Sequence, residues 1–323
     1  MRRLPLRVFL LVSTFAACSA PAAQRDTRTP GFTIDELWQD PVDLPSRDLF
    51  YGPGGEAVAP PPSGAHYQFV GYKTGGTNPG YNARDAAGRL WSVKLGIEAP
   101  AEVTASRILW AMGFHQPPTY FVHQFTLDGP NGGVKEAARF RTEFEQWKSI
   151  DEWRWYDNPF SNTRPFHGLI AAQLILNNWD LKTPNNRVYV ASDAATRPRR
   201  LYVVRDLGAS LGSSRQNPIL KLLGSPGLQG SKNDIDDFES QGFITDVTGE
   251  DVDFDYRGLN QPLVDVVTVP DVIWACEQLS RLSDDQWQAA FRAGAYPQAS
   301  ADRYIRKIKD KIARGLALKS ATR

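Results

Sequence analysis

The stretch that most constrains this chain is Leu169–Gly212, which reads LIAAQLILNNWDLKTPNNRVYV, then a polar turn, then LYVVRDLGASLG. An apolar run with the look of a buried helix, Arg164–Asn178, leads to an acid, Asp180. Asn185 follows on the same loop, and an apolar strand-like run then delivers a second acid, Asp206. Two carboxylates and a carboxamide offer hard oxygen ligands together with one base. That set can hold Mg²⁺ against phosphate oxygens while orienting a hydroxyl. Asp180 suits the base or orienting acid; Asn185 and Asp206 suit the metal. Asp and Asn also favour turns for local reasons, so the loop alone is a weak signal.

The upstream half supplies companions. HYQFVGYK, YNARD and RLWSVKLG read as three strands, separated by TGGTNPG and AAG, with Leu90, Ser92 and Lys94 alternating on one face of the third. Gly75 and Gly76 in the first connection would let backbone N–H groups approach phosphates, and a lysine on a rigid strand, Lys94, would pair with them. As a plain hairpin turn the same glycines need no ligand. APAEVTASRILWAMGF predicts a helix starting at Pro100 and stopped by Gly113. Glu102 is the acid within that helix and Glu98 lies just before it. An acid there can also serve only the helix dipole.

The order Lys94, Glu102, Asp180, Asn185, Asp206, with Lys182 in the loop Asp180-Leu181-Lys182-Thr183-Pro184-Asn185, resembles the protein-kinase-like superfamily. Asn178-Trp179 stands where His-Arg is familiar, and Asp206-Leu207-Gly208 where Asp-Phe-Gly is. In this the chain is more similar to the atypical HipA-type and lipid-kinase-like branches. The resemblance implies an α+β, bilobal kinase-like fold: a small antiparallel β N-lobe with one helix and a larger, mainly helical C-lobe. The expected divisions are a signal peptide over 1–23, an irregular or flexible arm over 24–64, the N-lobe over 65–128 and the C-lobe over 129–323. It further implies phosphoryl transfer from ATP with Mg²⁺ to an unidentified hydroxyl on a protein, sugar or lipid. Asp180 and Lys182 would act in catalysis, Lys94, Glu102, Gly75 and Gly76 would hold the nucleotide, and Asn185 and Asp206 the metal.

The first residues read as an address. Arg2, Arg3 and Arg7 precede an apolar run, Val8–Ala17, too short to span a bilayer. Phe15-Ala16-Ala17-Cys18 resembles a bacterial lipobox, so export to the periplasm or to a membrane is expected, with Cys18 as the lipid attachment point. Ordinary cleavage near Ala20-Pro21-Ala22 is the alternative. Cys276 is then the one other cysteine, and VIWACEQL predicts a buried thiol. ATP is scarce outside the cytoplasm, so an inactive kinase-like binding module or a structural envelope lipoprotein competes with the enzyme reading.

The remaining chain is less specific. Within the arm, Leu37-Trp38 and Leu49-Phe50-Tyr51 could strap onto a folded body. QPPTYFVHQFTL predicts two strand pieces and the hinge, and Lys135–Trp155 helix and loop. Ser210–Gly230 occupies the place of an activation segment, and Asp234–Asp255 reads as an acidic loop region. Pro270–Leu282, Asp284–Ala293 and Ser300–Leu316 predict three amphipathic helices. Four histidines without metal-protease spacing and the absence of a Gly-x-Ser-x-Gly elbow argue against zinc or serine hydrolysis. Thirty-seven basic against 36 acidic residues give the field no reason to bind nucleic acid.

Overall fold

The computed structural model describes residues 31–61, 63–73, 80–193, 195–215 and 230–321. Strands β1 (His66–Tyr72), β2 (Gly80–Arg84) and β3 (Leu90–Leu95) form the expected meander. With β4 (Thr119–Asp128) and β5 (Gly133–Arg141) they close a barrel in the order β1-β2-β3-β5-β4. Every pairing is antiparallel except β1 with β4, which is parallel and completes the closure. Side chains of a strand alternate between faces. Trp91 and Val93 therefore enter the barrel with Tyr67, Tyr81, Phe125, Ala138 and Phe140, while Ser92 and Lys94 stay outside. Phe140 meets Tyr67 at a tilt and Phe125 edge-on, at centroid distances of 4.8 and 4.9 Å, which fills the interior with aromatic contacts.

Three expectations change here. QPPTYFVHQFTL forms one strand, β4, and not two. Lys135–Trp155 contains β5 and β6 (Trp147–Asp151) in place of helix and loop. The boundary expected at 128 falls inside the β4–β5 hairpin, and the chain leaves the barrel only after Arg141. Arg139 and Arg141 on the outer face of β5 hid the end of the strand, because they face the buried Glu102 and not water.

Helix α1 (Glu98–Ala111) lies on the outer face of β3, β4 and β5. It starts two residues before Pro100, because proline is tolerated anywhere in a first turn whose N–H groups have no helical acceptor. The arm from 31 to 61 is a strap of single helical turns that puts Leu37, Leu44 and Leu49 into the main core. Trp38 Nε1 donates to Met112 O at 2.7 Å and Arg47 to Trp110 O at 2.5 Å, so the strap satisfies one carbonyl past the end of α1 and adds a second donor to another, which also accepts from Gly113 N. Gly113, with φ of 99°, is required there: a Cβ would stand 2.0 Å from Gln39 O.

The second half contains a three-stranded antiparallel sheet in the order β6-β7-β8, with β7 spanning Asn186–Ala191 and β8 Arg200–Val204. Helix α2 (Arg164–Ile175) is apolar all round and buried along most of its length, as the sequence predicts. Thr163 caps its start by accepting from Phe166 N, and Asn177 takes the left-handed conformation (φ 54°) just past its end. The supposed acidic loop over 234–255 is instead helix α3 (Ile235–Ser240) and a hairpin of β9 (Ile244–Thr248) and β10 (Asp251–Phe254). Val252 and Phe254 turn into the core, so the acids mark only the hairpin's solvent face. Helices α4 (Val269–Ser280), α5 (Asp284–Ala293) and α6 (Gln298–Ala321) match the three expected amphipathic segments.

Two capping boxes, Thr268 with Asp271 and Ser283 with Gln286, start α4 and α5. From α6, the fully buried Lys311 donates to Ile175 O (3.0 Å) and Asn177 Oδ1 (2.5 Å). These two bonds satisfy acceptors at the end of α2, so α6 clamps the point where α2 gives way to the loop of Asp180. Cys276 is buried as expected.

Candidate active site

The loop after α2 is shaped by short local bonds. Lys182 N donates to Asp180 O at 2.9 Å, and Asn185 N to Lys182 O at 3.1 Å, with Pro184 fixing the helical turn Thr183–Asn185. The loop folds back so that Asn185 Nδ2 donates to Asp180 O (2.6 Å) and lies 3.2 Å from its Oδ2. Lys182 Nζ pairs with the same Oδ2 at 2.7 Å. Asn178 and Trp179 are absorbed by the scaffold: Asn178 Nδ2 donates to Gln173 Oε1, and Trp179 Nε1 to Ser231 O.

Strand β8 then brings Asp206 to this loop. The backbone N–H groups of Arg205 and Asp206 both donate to Asn185 O, at 2.7 and 3.2 Å. Asp206 also reaches the barrel: Lys94 Nζ lies 3.0 and 3.1 Å from its two carboxylate oxygens. Lys94 further contacts Glu98 Oε2 at 2.5 Å and Glu102 Oε2 at 3.5 Å. Asp180, Lys182, Asn185, Asp206, Lys94 and Glu102 are thus one contact chain spanning both halves of the molecule. Gly75, Gly76 and Cys18 lie outside the described residues, as does 216–229 of the expected activation segment.

Burial would raise the Asp206 pKa, but Lys94, Arg141 and Arg139 together hold it well below the usual carboxylate range. Burial likewise works against the Lys94 charge, and Glu102, Asp206 and Glu98 reverse that and hold it above the ordinary lysine value. Asp206 and Lys94 therefore face each other as an ion pair. Gly208 belongs to it sterically: a Cβ there would come within 2.9 Å of Glu98 Cβ and Oε2. Gly208 N also donates to Asp206 Oδ1 at 3.3 Å.

The two helix acids divide the work differently from the sequence expectation. Glu98, expected just before the helix, is its first residue and is nearer to Lys94, and its other oxygen receives Lys232. Glu102 is shared by Arg139 Nε at 2.9 Å and Arg141 Nη1 at 3.0 Å, from β5. Lys73, at the end of β1, donates to Ser92 Oγ and, at 3.1 Å, to Val93 O. Lys73, Arg139, Arg141 and Lys232 were missed by the sequence reading. The Arg-Phe-Arg alternation at 139–141 was the available signal. The four histidines have structural contacts: His66 with Asp128, His115 with Asp35 O, His123 edge-on to Phe121, and His167 with Asp271 inside the α4 cap.

No protein-family model and no curated protein matches this chain. Among solved structures it is similar to the Helicobacter pylori proinflammatory kinase CtkA, at 11% identity and a TM-score of 0.48, covering 80% of this chain and 98% of that one. It is also similar to the Golgi casein kinase, at 9% identity and 0.40, covering 81% and 76%. A third similar structure is the Rio2 kinase complex with ADP/Mg²⁺ and phosphoaspartate from Chaetomium thermophilum, at 10% identity and 0.32, covering 76% and 72%. The arrangement itself is α+β: a closed five-stranded barrel carrying one long helix in the first half, and a mainly helical second half with two small antiparallel sheets.

Proposed function

We propose that the protein is a kinase-like phosphotransferase that moves a phosphoryl group from a Mg²⁺-bound nucleotide to a hydroxyl acceptor. The observation that carries this reading is the unbroken contact chain from Asp180 through Asn185 and Asp206 to Lys94. The donor set fits the metal: Asp206 offers carboxylate oxygens, and Asn185, whose Nδ2 is committed to Asp180, has Oδ1 left to ligate. Hard oxygen donors of this kind suit Mg²⁺, with phosphate oxygens and water completing its shell. Bound there, Mg²⁺ would neutralise charge on the transferring phosphoryl group.

The residues of the chain would then act as follows. Lys94, held by Glu98 and Glu102, would exchange its contact with Asp206 for phosphate oxygens. Asp180, oriented by Asn185 and Lys182, would accept the acceptor hydroxyl's hydrogen bond and its proton. The basic start and the lipobox-like Cys18 support export, with the acceptor a protein, sugar or lipid met outside the cytoplasm. Fractionation checks the location; intact full-length chain in the cytosol would contradict it. The activity is tested by Mg²⁺-dependent ATP binding and autophosphorylation by the folded protein, compared with Asp206→Ala. Nucleotide binding without transfer would leave an inactive binding module, and neither would leave a structural role.

A further inference from the structure

We propose that Lys73, Arg139 and Arg141 form an anion subsite beside Lys94 that takes the phosphate chain of the donor, so that the donor is chosen by its phosphates and not by its base. The inference rests on the phosphotransferase reading and specifies its donor.

Charge balance is the first support. Arg139 and Arg141 share a single carboxylate, Glu102, and Arg141 Nε has no hydrogen-bond partner among the described residues. Among the described residues Lys73 has no carboxylate partner: its contacts are the Ser92 hydroxyl and the Val93 carbonyl. Arg205 close by carries a further positive charge and is paired at 3.3 Å with the half-exposed Glu143. Burial, then Arg139 and Arg141, pull the Lys73 pKa down to about 6, as expected of a site with more cations than anions.

Position is the second support. Lys94 faces Arg139 and Ser92 faces Arg141 in the β3–β5 register, so all four lie on the same outer face of the sheet. Ser92, which receives both Lys73 and Arg139, is two residues from Lys94, or about 7 Å along the strand. A phosphate chain starting at Lys94 and Asp206 and running along β3 would meet Lys73 next. Lys73 would make the contact, and the two buried guanidiniums would supply the fixed positive field.

Chemistry is the third. A purine is held mainly by apolar faces against which its ring can stack. Here this stretch of the sheet offers a hydroxyl and a lysine amine that an incoming phosphate would reprotonate, backed by two buried guanidiniums, groups that reward charge and do not reward a neutral ring.

The test uses the folded wild-type protein with Mg²⁺ and a fluorescent ATP analogue, displaced by ATP, GTP, inorganic tripolyphosphate and adenosine. Expected are tripolyphosphate and GTP affinities within about tenfold of ATP, and no displacement by adenosine at about 100-fold higher concentration. Lys73→Met should weaken tripolyphosphate by about tenfold or more without lowering the unliganded Tm, and Lys73→Arg should retain binding. Adenosine competing as well as ATP, ATP binding that tripolyphosphate cannot displace, or unchanged tripolyphosphate affinity in Lys73→Met would overturn the subsite while leaving the phosphotransferase reading intact. Tripolyphosphate bound by wild type and lost in Lys73→Met, with ATP not bound at all, would support the subsite and sink the nucleotide donor.

Discussion

Lys94 and Asp206, 112 positions apart, face each other with Nζ 3.0 Å from Oδ1 and 3.1 Å from Oδ2, which ties the barrel to the loop after β8. Because the folded-state pKa of Asp206 lies below its unfolded value, the carboxylate adds stability at neutral pH. That contribution is complete above about pH 4 and is lost as the pH falls further through the folded value. Denaturant unfolding of wild type and Asp206→Asn should therefore differ at pH 7 and converge towards about pH 2. A gap that stays constant across that range would show that the pair contributes nothing electrostatic to folding.

The two acids of α1 should separate in their effects. Glu102 is 1% exposed and balances two buried guanidiniums. Replacing it by Gln leaves both without a full counter-charge, and breaking a buried pair in this way costs about 3–5 kcal/mol. Glu98→Gln leaves Lys94 with Glu102 and Asp206 and takes the carboxylate only from the part-exposed Lys232, so its stability cost should be smaller, while its effect on phosphate transfer should be the larger of the two relative to stability lost. Urea unfolding alongside transfer rates decides this; equal unfolding costs would refute the division.

What could be read in advance follows from how local each signal was. Lys94 stands on an alternating strand, and Asp180 and Asn185 sit on one loop whose geometry closes within five positions, so short windows revealed them. Glu98 is harder to read, because Pro100 marks a helix start in the sequence although a proline is equally acceptable further into the first turn. Arg139 and Arg141 were invisible for a different reason. Their partners, Glu102 and the Arg205 carbonyl, are far away in sequence, and Ala137 with φ of 50° interrupts the strand just before them. The strap over 31–61 is built from long-range contacts to Trp110, Met112 and Gly113, which no window on its own residues contains.

Gly208 tests the steric side of the centre. A methyl group at this position would meet Glu98 at Cβ as well as Oε2, so a rotamer change at the carboxylate end cannot relieve it. Gly208→Ala should displace the start of α1 or the Asp206 loop and lower phosphate transfer by about tenfold or more, with a stability loss of about 1–3 kcal/mol. A crystal structure of the variant with the Lys94–Glu98 contact intact would contradict this account.

Asp180 and Asp206 should fail in different ways. Loss of the Asp206 charge leaves the metal and the phosphates poorly compensated, so Asp206→Asn should weaken Mg²⁺–ATP binding itself. Asp180 is proposed to touch only the acceptor, so Asp180→Asn should cut turnover by roughly 10²–10⁴-fold with nucleotide affinity nearly unchanged. Titration of Mg²⁺–ATP into each variant, with transfer followed in parallel, separates the two. Wild-type rates in both would remove the phosphotransferase reading.

Lys73 gives the clearest dependence on pH. Its pKa in the folded chain is held down to about 6, chiefly by burial and then by Arg139, Arg141 and Arg205 against the single favourable carboxylate of Glu102. In the unfolded chain it returns to an ordinary lysine value of about 10.4. Between those values the unfolded chain binds a proton that the folded chain does not, so this group makes stability rise with pH across that window. Below about pH 6 the folded chain must carry the buried charge and the full penalty applies. Lys73→Met removes the penalty. It should stabilise the protein most at pH 6 and below, less as the pH rises, and not at all near pH 10. A wild-type-minus-variant difference that is flat between about pH 6 and 10 would mean that the ammonium is solvated or paired in the folded protein.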